Sequence, residues 1–332
     1  MNSPSPSDAS ARAESLAHQG AVGEAYRLLE GAIEAGDVDA ALTLADWRMS
    51  GALIRRDLAE ARRLYGLAFE QGCDDAAPVY IALLANGAGG SGRHWAQALD
   101  LLKTRAARDP VARDQRVLLE AMALAGEGNP QASYPGEALH DTARIERHSG
   151  FLSRAECEYI CTIALPRLAP AIVVDPRTGQ QRQDPIRTGW SAGFPFVFED
   201  PVLHAINRRI AAATGTSYEQ GEPLQVLSYE PGQEYRLHSD ALPDGGNQRI
   251  ATFLVALSAG YEGGATSFPR LGLELRGKPG DGLFFANTVA DDQRDPAMWH
   301  AGLPVTKGRK LLLSKWIRRH PLDLAGPPGR PF

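Results

Sequence analysis

Residues 224–240 read LQVLSYEPGQEYRLHSD: two short strand-like runs around a Pro-Gly turn, the second ending in His238-Ser239-Asp240. Along a strand, side chains at i and i+2 share a face, so a histidine and a carboxylate so spaced can reach one point. An H-x-D triplet alone is common, and a polar turn would also produce one. A metal site needs a third donor from elsewhere in the chain, and His300 in MWHAGLPV (298–305) is the candidate. Two imidazoles and a carboxylate on one face of an octahedron leave three positions open, the arrangement of non-haem Fe(II) oxygenases. The same donors completed to a tetrahedron would give a zinc site.

The surroundings of this stretch are β-rich. IATFLVAL (250–257), GLFFA (282–286) and LLLSKWI (311–317) alternate with EPGQ, PDGGN, YEGG and KPGDG. Short strands separated by Gly/Pro turns predict a sandwich, jelly roll or barrel, with helices near 153–168 and 200–214 packed outside it. The first third has another texture. EAGDVDAA (34–41) recurs 36 residues later as EQGCDDAA (70–77), and AARDPVA (106–112) keeps the frame more weakly. That period, with its alanine richness, predicts helix–turn–helix units that bury their apolar stripes only by stacking. In one unit Asp57 is placed to cap a helix, Glu60 to complete a capping box and Gly72 to end it. Leu58, Ala61, Leu64, Tyr65 and Ala68 form its stripe. The decoy GAGGSG (87–92) matches a dinucleotide-binding glycine pattern, but it follows a predicted helix instead of a strand, which makes it an inter-helix turn.

The length of 332 residues predicts two domains. The division reads as a disordered lead-in (1–9), a helical repeat domain (10–126), a linker (127–145), a β-rich domain (146–320) and a Pro/Gly-rich tail (321–332). A formal net charge of −5 argues against nucleic acid or anionic membrane as a partner. No apolar run approaches the roughly 18 residues of a membrane span, and the start lacks the pattern of a secretory signal. Cys73, Cys157 and Cys161 include no C-x-x-C pair. Cys157 and Cys161 sit four apart in a predicted helix, where they read as small buried residues. A reducing cytoplasm is the expected location.

Taken together, GFLSRAEC (150–157), the opening stretch, RIATFLVALSAGYEGGATSFPRLG (249–272) and GDGLFFANTVADDQRDPAMWHAGLPVTKGRKLLLSKWIR (280–318) resemble, in order, the prolyl 4-hydroxylase family of Fe(II)/2-oxoglutarate dioxygenases. The resemblance runs over about residues 146–320 and implies a double-stranded β-helix. It implies His238, Asp240 and His300 as iron ligands and Lys310 as the partner of the distal carboxylate of 2-oxoglutarate. Tyr229 and Thr266 would hydrogen-bond that co-substrate, and Arg187, Tyr235, Arg249 and Trp316 would line the peptide side. O2 is the second co-substrate and ascorbate the reductant the resemblance suggests. The implied reaction is hydroxylation of a prolyl residue in a protein or peptide, with release of succinate and CO2. Two positions depart from the family: Ala256 stands where a tyrosine is usual and Leu311 where tryptophan is common. Residues 10–126 resemble Sel1-like repeats, relatives of the tetratricopeptide repeat, which implies an α-solenoid that docks a protein. The alternatives are a scaffold with a degenerate oxygenase domain, or an oxygenase of free amino acids or other small molecules.

Overall fold

In the computed structural model, which describes residues 7–174, 181–183, 186–243 and 246–326, the chain divides into two compact units. One comprises the residues up to Asn129 with Pro195–Ala205 and the segment from Asp323; the other comprises Pro130–Phe194 and Ile206–Leu322.

The first unit is built from α1 (Asp8–His18), α2 (Val22–Glu34), α3 (Val38–Ser50), α4 (Leu58–Glu70), α5 (Ala76–Asn86), α6 (Trp95–Arg105) and α7 (Pro110–Ala121), each packed on the next. Ser7, Asp37, Asp57 and Asp109 cap four of them by accepting an amide of the first turn. The recurring octapeptide is the turn between α2 and α3, and again between α4 and α5. Gly36 and Gly72 hold it at φ of 89° and 91°, a left-handed conformation costly to any residue with a Cβ. Arg108 stands in the same frame before α7 and is not left-handed, so the third turn is made differently. The predicted stripe Leu58, Ala61, Leu64, Tyr65 and Ala68 is buried throughout.

Three readings of this region need correction. Asp57 caps α4, but no reciprocal box forms, because the Glu60 carboxylate pairs with Arg63 at 2.7 Å. The stretch read as a disordered lead-in already enters α1 at Asp8; residues 1–6 lie outside the described residues. The stretch read as linker contains a short strand, Glu137–Ala138. GAGGSG forms the connection between α5 and α6, with Gly87 closing α5. Of the tail, residues 327–332 lie outside the described residues.

The second unit is β-rich. Its larger sheet runs in the order β1 (Glu137–Ala138), β2 (Ile145–His148), β13 (Gly282–Ala286), β9 (Arg249–Ala256), β16 (Lys310–Arg318), β7 (Leu224–Tyr229), β6 (Trp190–Phe194) and β3 (Ala169–Pro170). A smaller sheet runs β12 (Leu273–Leu275), β11 (Thr266–Phe268), β14 (His300–Gly302) and β8 (Tyr235–His238). Two pairs complete it: β10 (Glu262–Gly263) with β15 (Val305–Lys307), and β4 (Ile172–Val174) with β5 (Gln181–Gln183). The pairings are antiparallel, as a jelly roll requires.

The predicted helices appear as α8 (Arg154–Ala164) and α9 (Pro201–Thr214). Ser153 and Glu156 form a full capping box at the start of α8. Glu156 also receives the buried Arg209 guanidinium at 2.6 and 3.0 Å, while Arg209 donates to the Phe151 carbonyl. Cys157 is buried as expected, whereas Cys161 is only partly covered.

Strand alternation decides which residues face between the sheets. On β9 these are Thr252, Leu254 and Ala256; on β16 they are Lys310, Leu312, Ser314 and Trp316. Register sets Trp316 opposite Thr252, Ser314 opposite Leu254 and Leu312 opposite Ala256. The interior therefore has an ordered depth, from Trp316 down to Lys310.

Candidate functional site

His238 closes β8 and His300 opens β14, and the two are direct partners across the smaller sheet. Asp240 lies in a bend two residues past β8, not on the strand as its spacing suggested. Its carboxylate is positioned by the Thr252 hydroxyl, which donates to Oδ2 at 2.6 Å and is itself held by Asn287 Nδ2 at 3.0 Å.

The result is a buried cluster whose donor atoms lie within 4.8 Å of one another. His238 Nε2 is 3.5 Å from Asp240 Oδ1, and His300 Nε2 is 3.7 Å from Oδ2. Each imidazole uses Nδ1 on a backbone carbonyl, His238 on Arg236 at 2.7 Å and His300 on Met298 at 3.0 Å. That contact fixes the tautomer and leaves the Nε2 lone pairs aimed at a common point, which is the arrangement a metal-ligating histidine needs. Burial alone would raise the Asp240 carboxyl, but the neighbouring His300 and His238 and the Thr252 hydrogen bond outweigh it and hold Asp240 well below the usual carboxylate range. Burial pushes His300 down, toward the neutral form. An ionised carboxylate with neutral imidazole is the donor set that suits Fe(II).

The aromatic packing is close. Tyr235 stacks on His238 with centroids 3.5 Å apart, and Phe285 and Phe268 flank His300 at 4.8 and 5.4 Å.

Lys310 faces the same cavity as the three donors. It is buried, its ammonium donates to the Gly264 carbonyl at 2.7 Å, and it lies 5.8 Å from the Tyr229 ring. Burial, with the Arg276 charge nearby, pushes its pKa down to about 8. Tyr229 is the register partner of Lys310, and Thr266 lines the cavity from β11. Tyr235 and Trp316 line it as well, and Arg187 lies 5.5 Å over the Tyr235 ring. Arg249 is placed differently from a simple lining residue. It is bound twice to Glu222, at 2.6 and 2.9 Å, and stacks 3.7 Å from the Trp316 ring, while Arg318 shares Glu222. It therefore braces Trp316.

Sequence reasoning missed Thr252, Asn287 and Arg276. For Thr252 a signal existed, since it precedes Leu254 and Ala256 on one face of a clear strand. For Asn287 and Arg276 none did.

The profile of the 2OG-Fe(II) oxygenase superfamily matches residues 224–318. Probable prolyl 4-hydroxylase 10 of Arabidopsis thaliana is 33% identical over 228 residues, covering 61% of this chain and 78% of that protein. The chain belongs to the prolyl 4-hydroxylase family of 2OG-Fe(II) oxygenases. Prolyl 4-hydroxylase subunit alpha-1 of Rattus norvegicus is 36% identical over 217 residues, 61% of this chain and 40% of that one. The crystal structure of the viral collagen prolyl hydroxylase of Paramecium Bursaria Chlorella virus-1 aligns at 29% identity and a TM-score of 0.44, over 55% of this chain and 99% of that one. As a member of this family the chain is a dioxygenase that uses Fe(II), 2-oxoglutarate and O2. Among the described residues, no helix is long and apolar enough to cross a membrane.

Proposed function

We propose that this enzyme hydroxylates a prolyl residue in a protein or peptide, holding Fe(II) on His238, Asp240 and His300 and 2-oxoglutarate on Lys310. The observation that carries the reading is that three converging donors and a buried ammonium face one cavity between the sheets. Fe(II), when bound, supplies the O2 chemistry that turns 2-oxoglutarate into succinate and CO2 and puts the other oxygen atom into the substrate C–H bond.

The residues supply position and exclusion of water. His238 and His300 keep Nε2 free by committing Nδ1 to the backbone. Thr252 occupies one lone pair of Asp240, which favours one-oxygen ligation and leaves open positions. Lys310 neutralises a carboxylate that would otherwise be buried at high cost, with Tyr229 and Thr266 as its hydrogen-bonding neighbours. Tyr235, Arg187 and Trp316, the last braced by Arg249, form the side from which a peptide would approach.

The helical unit is read as a small solenoid that docks the protein target, raising its local concentration without touching the reacting bond. The three free cysteines fit a reducing cytoplasm.

The test uses intact enzyme with Fe(II), 2-oxoglutarate, a proline-rich peptide and candidate whole proteins. Succinate release matched by a one-oxygen mass gain on proline is expected, with a whole target favoured in KM over its own short peptide. Succinate release with no proline product in any substrate would overturn the prolyl assignment, and equal KM for target and peptide would overturn the docking role.

A further inference from the structure

Lys310 is not the end of the interior. Together with Leu254, Thr266 and Leu312 it lines two adjoining cavities, and only one of them holds the His238, Asp240 and His300 donors. The second adjoins the first on the far side of Lys310 and opens to solvent at Arg276 and Gly277; Ala256, Tyr261, Gly264, Arg147 and Asp281 are among its other lining residues.

The ladder along β9 explains the geometry. Thr252 touches Asp240, Leu254 borders both cavities and Ala256 borders only the second. At roughly 3.3 Å per strand residue, Ala256 stands about 13 Å along the strand from the metal end. A methyl group is all this face offers at that position. The backbone at Gly277 approaches it, since a Cβ on Gly277 would lie 3.2 Å from the Ala256 Cβ, yet the cavity beside it persists.

The charge lining this second cavity is positive. Arg276 is pre-oriented, donating to the Tyr261 carbonyl at 2.6 Å and stacking 4.8 Å from the Tyr261 ring. Arg147 adds a second guanidinium. The one acid among these residues, Asp281, is engaged by backbone amides, Gly150 N on Oδ1 and Lys278 N on Oδ2, each at 3.0 Å. The Arg276 charge is felt at Lys310, whose pKa it helps to depress. Leu254 and Leu312 thus border a path from the buried ammonium of Lys310 to the solvent-exposed guanidinium of Arg276.

We propose that Arg276 is a second anchor for the distal carboxylate of the co-substrate, and that the room beside Ala256 admits a 2-oxo diacid one carbon longer than 2-oxoglutarate. The inference rests on the dioxygenase reading of the His238–Asp240–His300 site. With 2-oxoadipate the C1–C2 bond would break to release CO2. One atom of O2 would complete the carboxylate of glutarate, and the other would enter the substrate C–H bond as hydroxyl.

Binding is measured by calorimetry on the full chain loaded with Mn(II) without O2, so that no turnover is needed. Expected for the unaltered protein is a Kd for 2-oxoadipate within about tenfold of that for 2-oxoglutarate. Arg276→Met should raise the ratio of the two constants against 2-oxoadipate by about tenfold, and Ala256→Leu, which fills the space without new charge, should do the same. Circular dichroism identifies any variant that fails to fold, and the ratio in the unaltered protein then decides alone. Normal 2-oxoglutarate binding with 2-oxoadipate more than about a hundredfold weaker, or ratios unmoved in both folded variants, would overturn the longer chamber and leave the dioxygenase reading standing. Failure of both acids to bind the Mn(II)-loaded protein would overturn the dioxygenase reading and this inference with it.

Discussion

At the scale of single residues, the site separates two kinds of loss. His238→Ala, His300→Ala and Asp240→Ala each leave two donors, too few to fix Fe(II) in one geometry. Succinate production and Fe(II) binding by calorimetry should both disappear, and survival of both in any variant would remove that residue from the metal. Lys310→Ala leaves the donors intact and takes away a charge partner. The apparent constant for 2-oxoglutarate should rise by one to three orders of magnitude, about 1.5–4 kcal/mol for a lost charge-assisted contact. Lys310 also predicts a pH dependence. The protonated ammonium is the form that pairs with a carboxylate, and in the free protein burial and Arg276 bring its pKa to about 8. Affinity for 2-oxoglutarate is therefore full below that pH and falls above it, by about tenfold between about pH 7 and about pH 9. Calorimetry with Mn(II) at the two pH values checks this, and Lys310→Arg should flatten the profile over that range.

At the scale of elements, Thr252 shows how a strand serves a ligand it does not itself carry. Thr252→Val keeps the shape of β9 but frees the second oxygen of Asp240, and metal affinity should drop roughly 10–100-fold, readable by Fe(II) titration. Arg209→Met tests the base of α8. It strands the Glu156 carboxylate where Arg209 and its partner are almost wholly covered, and should cost about 3–5 kcal/mol in urea unfolding.

The elements also show what was legible from the sequence. LQVLSY and GLFFA are strands over the residues expected, because short β-prone apolar runs set off by Gly/Pro turns mark themselves in the sequence. The smaller sheet was harder to see. Its members β11, β12 and β14 are three residues each, too short to show alternation, so His300 is reachable only as the third donor that His238 and Asp240 require and through the family blocks, not from its strand. Asp240 was read as a strand residue because spacing says nothing of where a strand stops. Arg276 left no trace at all, since its place beside Lys310 is made by the pairing of β12 with β11 and not by any neighbour in sequence.

At the scale of the whole molecule, the helical unit is not a detachable N-terminal block. Val197 is fully buried in its core, and Asn86 Nδ2 donates to the carbonyls of Phe196 at 2.9 Å and Glu199 at 3.4 Å, far along the chain. Deleting residues 7–129 would strip that segment of its cover, so the truncate should be poorly soluble, as gel filtration would show. Asn86→Ala should lower stability by about 1–3 kcal/mol, because the Phe196 and Glu199 carbonyls each lose a donor and Ala88 N loses its acceptor. The recurring turns reach further. Gly36 and Gly72 have nothing within 4 Å of where a Cβ would stand, so their constraint is the left-handed backbone alone, at roughly 1–2 kcal/mol for most replacements. In a saturation-mutagenesis map these two columns should tolerate asparagine best and β-branched residues least. Column 108, the same frame one period on, should accept nearly everything.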